Sequence, residues 1–166
     1  MVQKIVPLEK AHDVTHFDCG EGKLNTWLQT IAMQHQRNGT SKTFVLIDDG
    51  EPCIVLGFFT MAIRTLTPSE VLPQDLQRKL PRQVPGFTLA RLGVSVLAQG
   101  RKFGAFLLLE AMERAYRASM SVGGYALFVD AKDGLASFYE HFGFKPLIDD
   151  PNTLVMPIAA MPKFPD

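Results

Sequence analysis

Between Leu76 and Leu109 the chain carries no acidic residue, although Arg78, Lys79, Arg82, Arg91, Arg101 and Lys102 all fall in that stretch. A second acid-free stretch, Gly22 to Ile47, holds Lys23, Arg37 and Lys42. Acids gather instead at Asp48, Asp49 and Glu51 and at Asp149 and Asp150, while the totals balance at 17 basic and 17 acidic residues. Such segregation lets a neutral chain present one face to a polyanion. Plain solvated surface, with Arg101 and Lys102 beside a bound phosphate, accounts for the same pattern. Long apolar runs are missing too: nothing approaches the ~20 residues that span a bilayer. The N-terminus has no signal-peptide pattern. Two cysteines, Cys19 and Cys53, sit at neither metal nor redox spacing and imply no disulfide framework. His12, His16, His35 and His141 are scattered, so no metal site is expected. What remains is the composition of an ordinary globular chain, 46% hydrophobic and 20% charged. The expectation is one cytoplasmic domain over residues 1–166.

The elements read as a mixed α/β order without repeats. Val2 to Val6 is a short strand. Leu24, Trp27, Leu28, Ile31 and Ala32 recur at helical spacing within Glu21 to Gln36, and Asn38-Gly39 stops that helix. Phe17-Asp18-Cys19-Gly20 reads as its entry turn, with Asp18 capping and Cys19 a small buried residue. Thr43 to Ile47 and Cys53 to Ile63 flank the Asp48-Asp49-Gly50-Glu51 turn as a hairpin. Pro68 to Leu80 reads as a helix with Thr67 as N-cap and proline at N1. Phe87 to Leu97 is a central strand. Phe103 to Met120 is the main helix, with Glu110–Arg114 and Glu113–Arg117 pairs on one face and Phe106, Leu109, Met112 and Ala115 or Tyr116 on the other. Tyr125 to Ala131 is a strand, Asp133 to Phe142 a helix ended by Gly143, and Phe144 to Leu147 and Thr153 to Ile158 are the last strands.

The loop Gln99-Gly100-Arg101-Lys102-Phe103-Gly104 follows a strand and opens a helix. The first N–H groups of a helix lack intrahelical acceptors, and its dipole favours an anion there. With Ala131-Lys132-Asp133, Ala136 and Phe138-Tyr139-x-x-Phe142-Gly143-Phe144 at matching spacing, the stretch resembles the acyl-CoA-binding core of the GNAT superfamily of N-acetyltransferases. The family loop reads Q/R-x-x-G-x-G/A; Gln99 and Gly104 match its ends, and Lys102 replaces the central glycine. That replacement requires a φ at position 102 that a β-carbon tolerates, and its ammonium can sit beside a phosphate. The resemblance implies an α+β GNAT-like acyl-CoA N-acyltransferase fold. Its central, mostly antiparallel sheet is splayed at the cofactor site and flanked by helices. A second helix before the first hairpin is expected to be short or absent.

By the same resemblance, Leu92, Gly93 and Val94 pair with the pantetheine arm of acetyl-CoA. Gln99, Gly100, Arg101, Lys102, Phe103, Gly104 and Ala105 hold its pyrophosphate, and Tyr139 protonates the departing thiolate. A phenol with a solution pKa near 10 keeps its proton at neutral pH without tuning. The plainer reading of Phe138-Tyr139 is aromatic packing. No general base is evident, and His141 reads as a surface residue. An α-amine, with a pKa of about 7.7–8.0, is already partly neutral, whereas a lysine amine near 10.4 needs more help. The missing base leans toward an α-amino acceptor.

The N-terminal half adds a second likeness. Phe17-Asp18-Cys19-Gly20, Leu24-Asn25-x-Trp27-Leu28, Ala32, Gln36, Ser41-x-Thr43-Phe44-Val45 and Arg91-Leu92 resemble the GNAT toxins of bacterial toxin–antitoxin pairs. Those proteins acetylate the α-amine of aminoacyl-tRNA, block translation and are held by a ribbon-helix-helix antitoxin; homodimers are frequent among GNAT proteins. Arg78, Lys79, Arg82, Arg91 and Lys42, with Arg37, would then contact tRNA phosphates. Alternative readings are a GNAT enzyme for a small amine or a protein N-terminus, and a non-catalytic acyl-CoA-binding module. Trp27, Leu24 and Leu28 sit at core spacing whichever holds.

Overall fold

The structure is a computed structural model describing residues 2–131 and 134–165. Lys132 and Asp133, part of the C-terminal motif and of the predicted helix start, lie outside the described residues. The strands follow the order β1-β2-β3-β4-β5-β7-β6 in one seven-stranded sheet, and the chain divides into two compact units, Met1–Ala62 with Ala90–Ala111 and Ile63–Leu89 with Met112–Asp166.

In the first unit β1 (Gln3–Pro7), β2 (Lys42–Asp48) and the start of β3 (Gly57–Pro68) pair antiparallel, from Gln3↔Asp48 to Pro7↔Phe44 and from Lys42↔Met61 to Leu46↔Gly57. Phe17, Leu24, Trp27, Leu28, Val45 and Phe58 form its core, with Phe17 edge-on to Phe58 at 5.5 Å. The single helix expected over Glu21 to Gln36 is two: α1 (Gly22–Thr30) and α2 (Ala32–Asn38), broken at Ile31 where φ is −120°. The Thr30 hydroxyl donates back to the Thr26 carbonyl at 2.6 Å, a bond that bends helices. The second helix before the hairpin is therefore present. It ends as expected at Gly39, whose φ of 79° lets its N–H reach the His35 carbonyl. The third strand begins at Gly57, not Cys53. A β-carbon on Gly57 would stand 2.9 Å from Leu107 Cδ1 and 3.1 Å from the Gly93 carbonyl oxygen.

In the second unit the end of β4 (Gln83–Val94) nearest its start pairs parallel with β5 (Ala126–Asp130), from Gly86↔Ala126 to Leu89↔Val129. β5 pairs antiparallel with β7 (Thr153–Pro157), and β7 with the two-residue β6 (Lys145–Pro146). Leu72, Val84, Ala126, Phe128, Leu147 and Val155 form the core here. The helix expected over Pro68 to Leu80 does not form; two 3₁₀ turns, Ser69–Val71 and Gln74–Leu76, stand in its place. Pro73 explains the failure. It has no N–H to donate, and it pushes the preceding residue out of the helical region; Leu72 is accordingly extended, at φ −68° and ψ 154°. Thr67 is buried and caps nothing; its hydroxyl accepts from Arg64 Nε at 3.2 Å.

The longest helix, α3 (Phe103–Val122), buries Leu107, Leu108, Ala111, Met112 and Ala115. Of the face expected to pack, Met112 and Ala115 are buried while Phe106 and Leu109 are each 41% exposed, Leu107, Leu108 and Ala111 being buried instead. The Glu113–Arg117 pair forms at 3.0 Å. The short α4 (Ala136–His141) ends at Gly143, with φ 101°. Among the described residues no helix is long and apolar enough to cross a membrane.

Candidate active site

The loop after β4 owes its shape to two left-handed residues. Gly100 has φ 81° and Lys102 has φ 62°, so the lysine adopts the conformation its glycine counterpart would take without strain. A non-glycine residue there costs about 1–2 kcal/mol. Alternation of this kind turns successive backbone N–H groups inward to make an anion cradle, and the first turn of a 20-residue helix follows at once. Arg101 and Lys102 are exposed, and the Arg101 guanidinium lies 4.6 Å from the buried Phe103 ring. Gly104 and Ala105 are half-buried in that first turn. These residues fit a pyrophosphate: the cradle is backbone, and two cations flank it.

The end of β4 is set by close packing. Gly93 is buried, and a β-carbon there would lie 3.2 Å from Phe58 Cε1 and 3.3 Å from Cys19 Sγ. Its neighbours Leu92 and Val94 are half-buried. The turn that presses on Gly93 is internally braced. Asp18 accepts from the Gly20 N–H at 2.8 Å and from Asn25 Nδ2 at 2.9 Å, and Asn25 Oδ1 accepts from the Cys19 N–H at 2.9 Å. Those bonds, the Gly20 N–H first, hold the Asp18 carboxyl below the usual carboxylate range. Asp18 thus closes its own turn and does not cap α1, whose N-cap residue, Glu21, makes no side-chain capping bond to the helix. Cys19, expected to be buried, is half-buried, and that burial pushes its thiol up, away from nucleophilic thiolate. Gln99 donates from one amide nitrogen to the carbonyls of Cys19, at 3.2 Å, and Val94, at 3.1 Å.

In the second unit Tyr139 is buried on α4, edge-on to Phe138 at 5.1 Å and to Phe144 at 5.9 Å. These contacts are the aromatic packing that the plainer reading of Phe138-Tyr139 expects. Burial pushes the phenol up to about 12, so it stays protonated throughout the physiological range. His141 is exposed, its ring edge-on to Phe142 at 5.3 Å.

The basic residues fall into two groups. Arg78, Lys79 and Arg82 are exposed on the connection between β3 and β4, with Lys79 at φ 64°. In the first unit Lys42 is exposed, its ammonium donating to the Gln36 carbonyl at 3.3 Å, and Arg37 is exposed at the end of α2. Arg91 is half-buried with its guanidinium 4.1 Å from the Trp27 ring. Sequence reasoning missed Arg64. Its guanidinium lies 4.6 Å from the Phe128 ring and 3.5 Å from Asp130. One arginine inside the apolar run from Gly57 to Leu66 was the available signal. Among the described residues no cluster of His, Cys, Asp or Glu could hold a metal.

No family model matches the chain. It is 35% identical over 150 residues, 90% of this chain and 88% of the relative, to a tRNA-acetylating toxin of Mycobacterium tuberculosis. The solved structure of AtaT complexed with acetyl-methionyl-tRNAfMet superposes with a TM-score of 0.88, at 32% identity, covering 95% of this chain and 96% of that one. A tyrosine-to-phenylalanine variant of AtaT, bound to the C-terminus of the antitoxin AtaR and acetyl-CoA, matches with a TM-score of 0.81, at 31% identity, over 95% and 94% of the two chains.

Proposed function

The chain belongs to the tRNA-acetylating toxins of the GNAT superfamily, and on that footing we propose that it transfers an acetyl group from acetyl-CoA to the α-amine of an aminoacyl-tRNA, so blocking translation. One observation carries the reading: the likeness to a tRNA-acetylating toxin extends over 90% of the chain. The Gly100–Lys102 cradle at the head of α3 supports the donor half, holding the pyrophosphate while Leu92, Gly93 and Val94 line the pantetheine arm. The neutral acceptor amine attacks the thioester carbonyl, forming the C–N bond; the tetrahedral intermediate breaks its C–S bond, and the proton shed by the nitrogen passes through water to the departing CoA thiolate. No base is required if the acceptor is an α-amine.

Tyr139 meets the departing sulfur as a hydrogen-bond donor. A phenol at about 12 facing a thiol whose solution pKa is near 8.5 gives an uphill full proton transfer. The same apolar surroundings penalise the thiolate as well and draw the two values together, so donation to the developing negative charge is its contribution. Arg78, Lys79, Arg82, Arg91 and Lys42 supply phosphate contacts that position the tRNA without reading its sequence. The working unit is one acetyltransferase domain acting in the cytoplasm, where charged tRNA is found, and a ribbon-helix-helix antitoxin holds it in check. Homodimerisation belongs to the same reading.

The test is purified cell-free translation with and without acetyl-CoA, followed by mass analysis of the charged tRNAs. Inhibition that depends on acetyl-CoA, with N-acetylated aminoacyl-tRNA as product, is the expected result. Unaffected translation with intact acetyl-CoA binding would transfer the assignment to a small-amine or N-terminal acetyltransferase.

A further inference from the structure

The amide of Gln99 is already occupied by its own chain. Its Nε2 reaches two backbone carbonyls, of Cys19 and of Val94, at 3.2 and 3.1 Å. Both partners are acceptors only, so the nitrogen and not the oxygen must face them, and both of its hydrogens are used. One of those carbonyls ends β4; the other lies 80 residues away in the Phe17–Gly20 turn. A parallel tie runs beside it, from the Val96 N–H to the Asp18 carbonyl at 2.8 Å. From its far side the turn is gripped by Asn25, through the Cys19 N–H and the Asp18 carboxylate at 2.9 Å each. Asn25 lies on α1, two residues before Trp27, which carries the Arg91 guanidinium. A continuous set of hydrogen bonds therefore runs from the phosphate loop through the turn to α1, and Gln99 is its link at the loop.

We propose that Gln99 is a positioning residue for acetyl transfer: it clamps the Phe17–Gly20 turn to the end of β4 and makes no contact with the acetyl donor itself. The inference rests on the acetyltransferase reading given above and changes what one residue of that reading does. The cradle holds phosphate through backbone N–H groups at Gly100–Lys102 and the head of α3, which do not need the Gln99 side chain. What the clamp governs is the turn packed on Gly93, through Cys19, and the face of α1 that the turn leads into. Losing it leaves the backbone pyrophosphate contacts, the main hold on the donor, in place, while the turn and the face of α1 where Trp27 carries Arg91, one of the residues assigned to tRNA, lose their anchor. A guanidinium also offers two N–H donors from a long stem and replaces the amide; a carboxylate offers none and turns oxygens toward the two carbonyls.

Four variants test this: Gln99→Ala, Gln99→Glu, Gln99→Arg and Asn25→Ala, with acetyl-CoA affinity by calorimetry and steady-state kinetics on aminoacyl-tRNA. Gln99→Ala and Gln99→Glu are expected to keep acetyl-CoA affinity within about threefold and to lower kcat/KM for the acceptor about tenfold, with Gln99→Arg restoring most of it. Asn25→Ala is expected to reproduce the Gln99→Ala effect, and the double variant to fall well short of the product of the two losses. A tenfold loss of acetyl-CoA affinity in Gln99→Ala with kcat preserved would make Gln99 a donor contact and overturn the inference. Multiplicative effects of Gln99→Ala and Asn25→Ala would overturn it too. If the wild type acetylates no aminoacyl-tRNA, the reading of the substrate fails. The clamp is then judged separately by hydrogen exchange at the Cys19 and Gly20 amides, which speeds up in Gln99→Ala if the clamp exists and is unchanged if it does not.

Discussion

Replacing Tyr139 by phenylalanine separates what its burial does for the fold from what its hydroxyl does for the reaction. Burial raises the phenol from its ordinary value near 10 to about 12. Below pH 10 the folded and unfolded chains both carry the proton, and the group adds no pH dependence. Between pH 10 and 12 the unfolded chain ionises while the folded chain does not, so stability falls as pH rises. Each unit is worth about 1.4 kcal/mol, so the loss reaches about 3 kcal/mol by pH 12 and then levels off. The assay is urea unfolding of wild type and Tyr139→Phe at matched pH values from 8 to 12. Subtracting one from the other removes the contributions of Tyr116, Tyr125 and the lysines. The wild-type advantage is expected to shrink only above pH 10. A difference that stays flat to pH 12, or an ultraviolet titration of the intact fold in which Tyr139→Phe removes a phenol ionising near pH 10, would refute the burial argument. In turnover, the rate is expected to rise with deprotonation of the acceptor amine at about pH 7.7–8.0 and then to hold level through pH 10. Tyr139→Phe lowers that plateau by about 10²–10³, the cost of one preorganised hydrogen-bond donor to the developing charge, without moving the rise. A wild-type decline setting in between pH 9 and 10 would show the phenol losing its proton there and would break the mechanism.

Lys102→Gly relieves a left-handed lysine worth about 1–2 kcal/mol while adding unfolded-chain entropy of about 0.5–1 kcal/mol; thermal unfolding is expected to move little, and a large drop in Tm would mean the side chain holds the loop. Its acetyl-CoA affinity is expected to weaken at low salt and match wild type near 1 M salt, where charge is screened. Gly93→Ala places a methyl 3.2–3.3 Å from Phe58 and Cys19 and is expected to cost about 1–3 kcal/mol by denaturant unfolding. Adding Cys19→Ala should recover part of that, and no recovery would put the clash elsewhere. Arg78 and Lys79 changed together to Ala are expected to weaken tRNA binding and flatten its salt dependence with acetyl-CoA affinity unchanged, whereas equal loss of both affinities points to misfolding.

Where local chemistry decides the structure, the residues announce it. Gly39 and Gly143 end helices at positive φ as their positions suggest, Asp48-Asp49-Gly50-Glu51 closes its turn, and the order of strands around the phosphate loop can be read directly. The misreadings share a cause: a local pattern was outweighed by a neighbour. The pattern of Pro68 to Leu80 looks helical until Pro73 is counted against it. Phe106 and Leu109 in α3 sit at valid helical spacing with the buried Met112, yet the packed face includes Leu107, Leu108 and Ala111 in their place. Asp18 carries the chemistry of a helix cap, but Gly20 and Asn25 claimed its carboxylate first. Gln99 shows the limit most clearly. Its place in the loop marks it as part of the donor site, while its actual partners lie 5 and 80 residues away, and no spacing rule reaches across that distance. Lys102 departs from expectation: a residue with a β-carbon favours a negative φ, yet position 102 keeps the left-handed value of 62° that the missing glycine would adopt freely. A loop of this pattern without its central glycine is therefore built by accepting strain at one residue, while Gln99, three residues earlier, ties the start of the loop to the Val94 carbonyl at the end of β4.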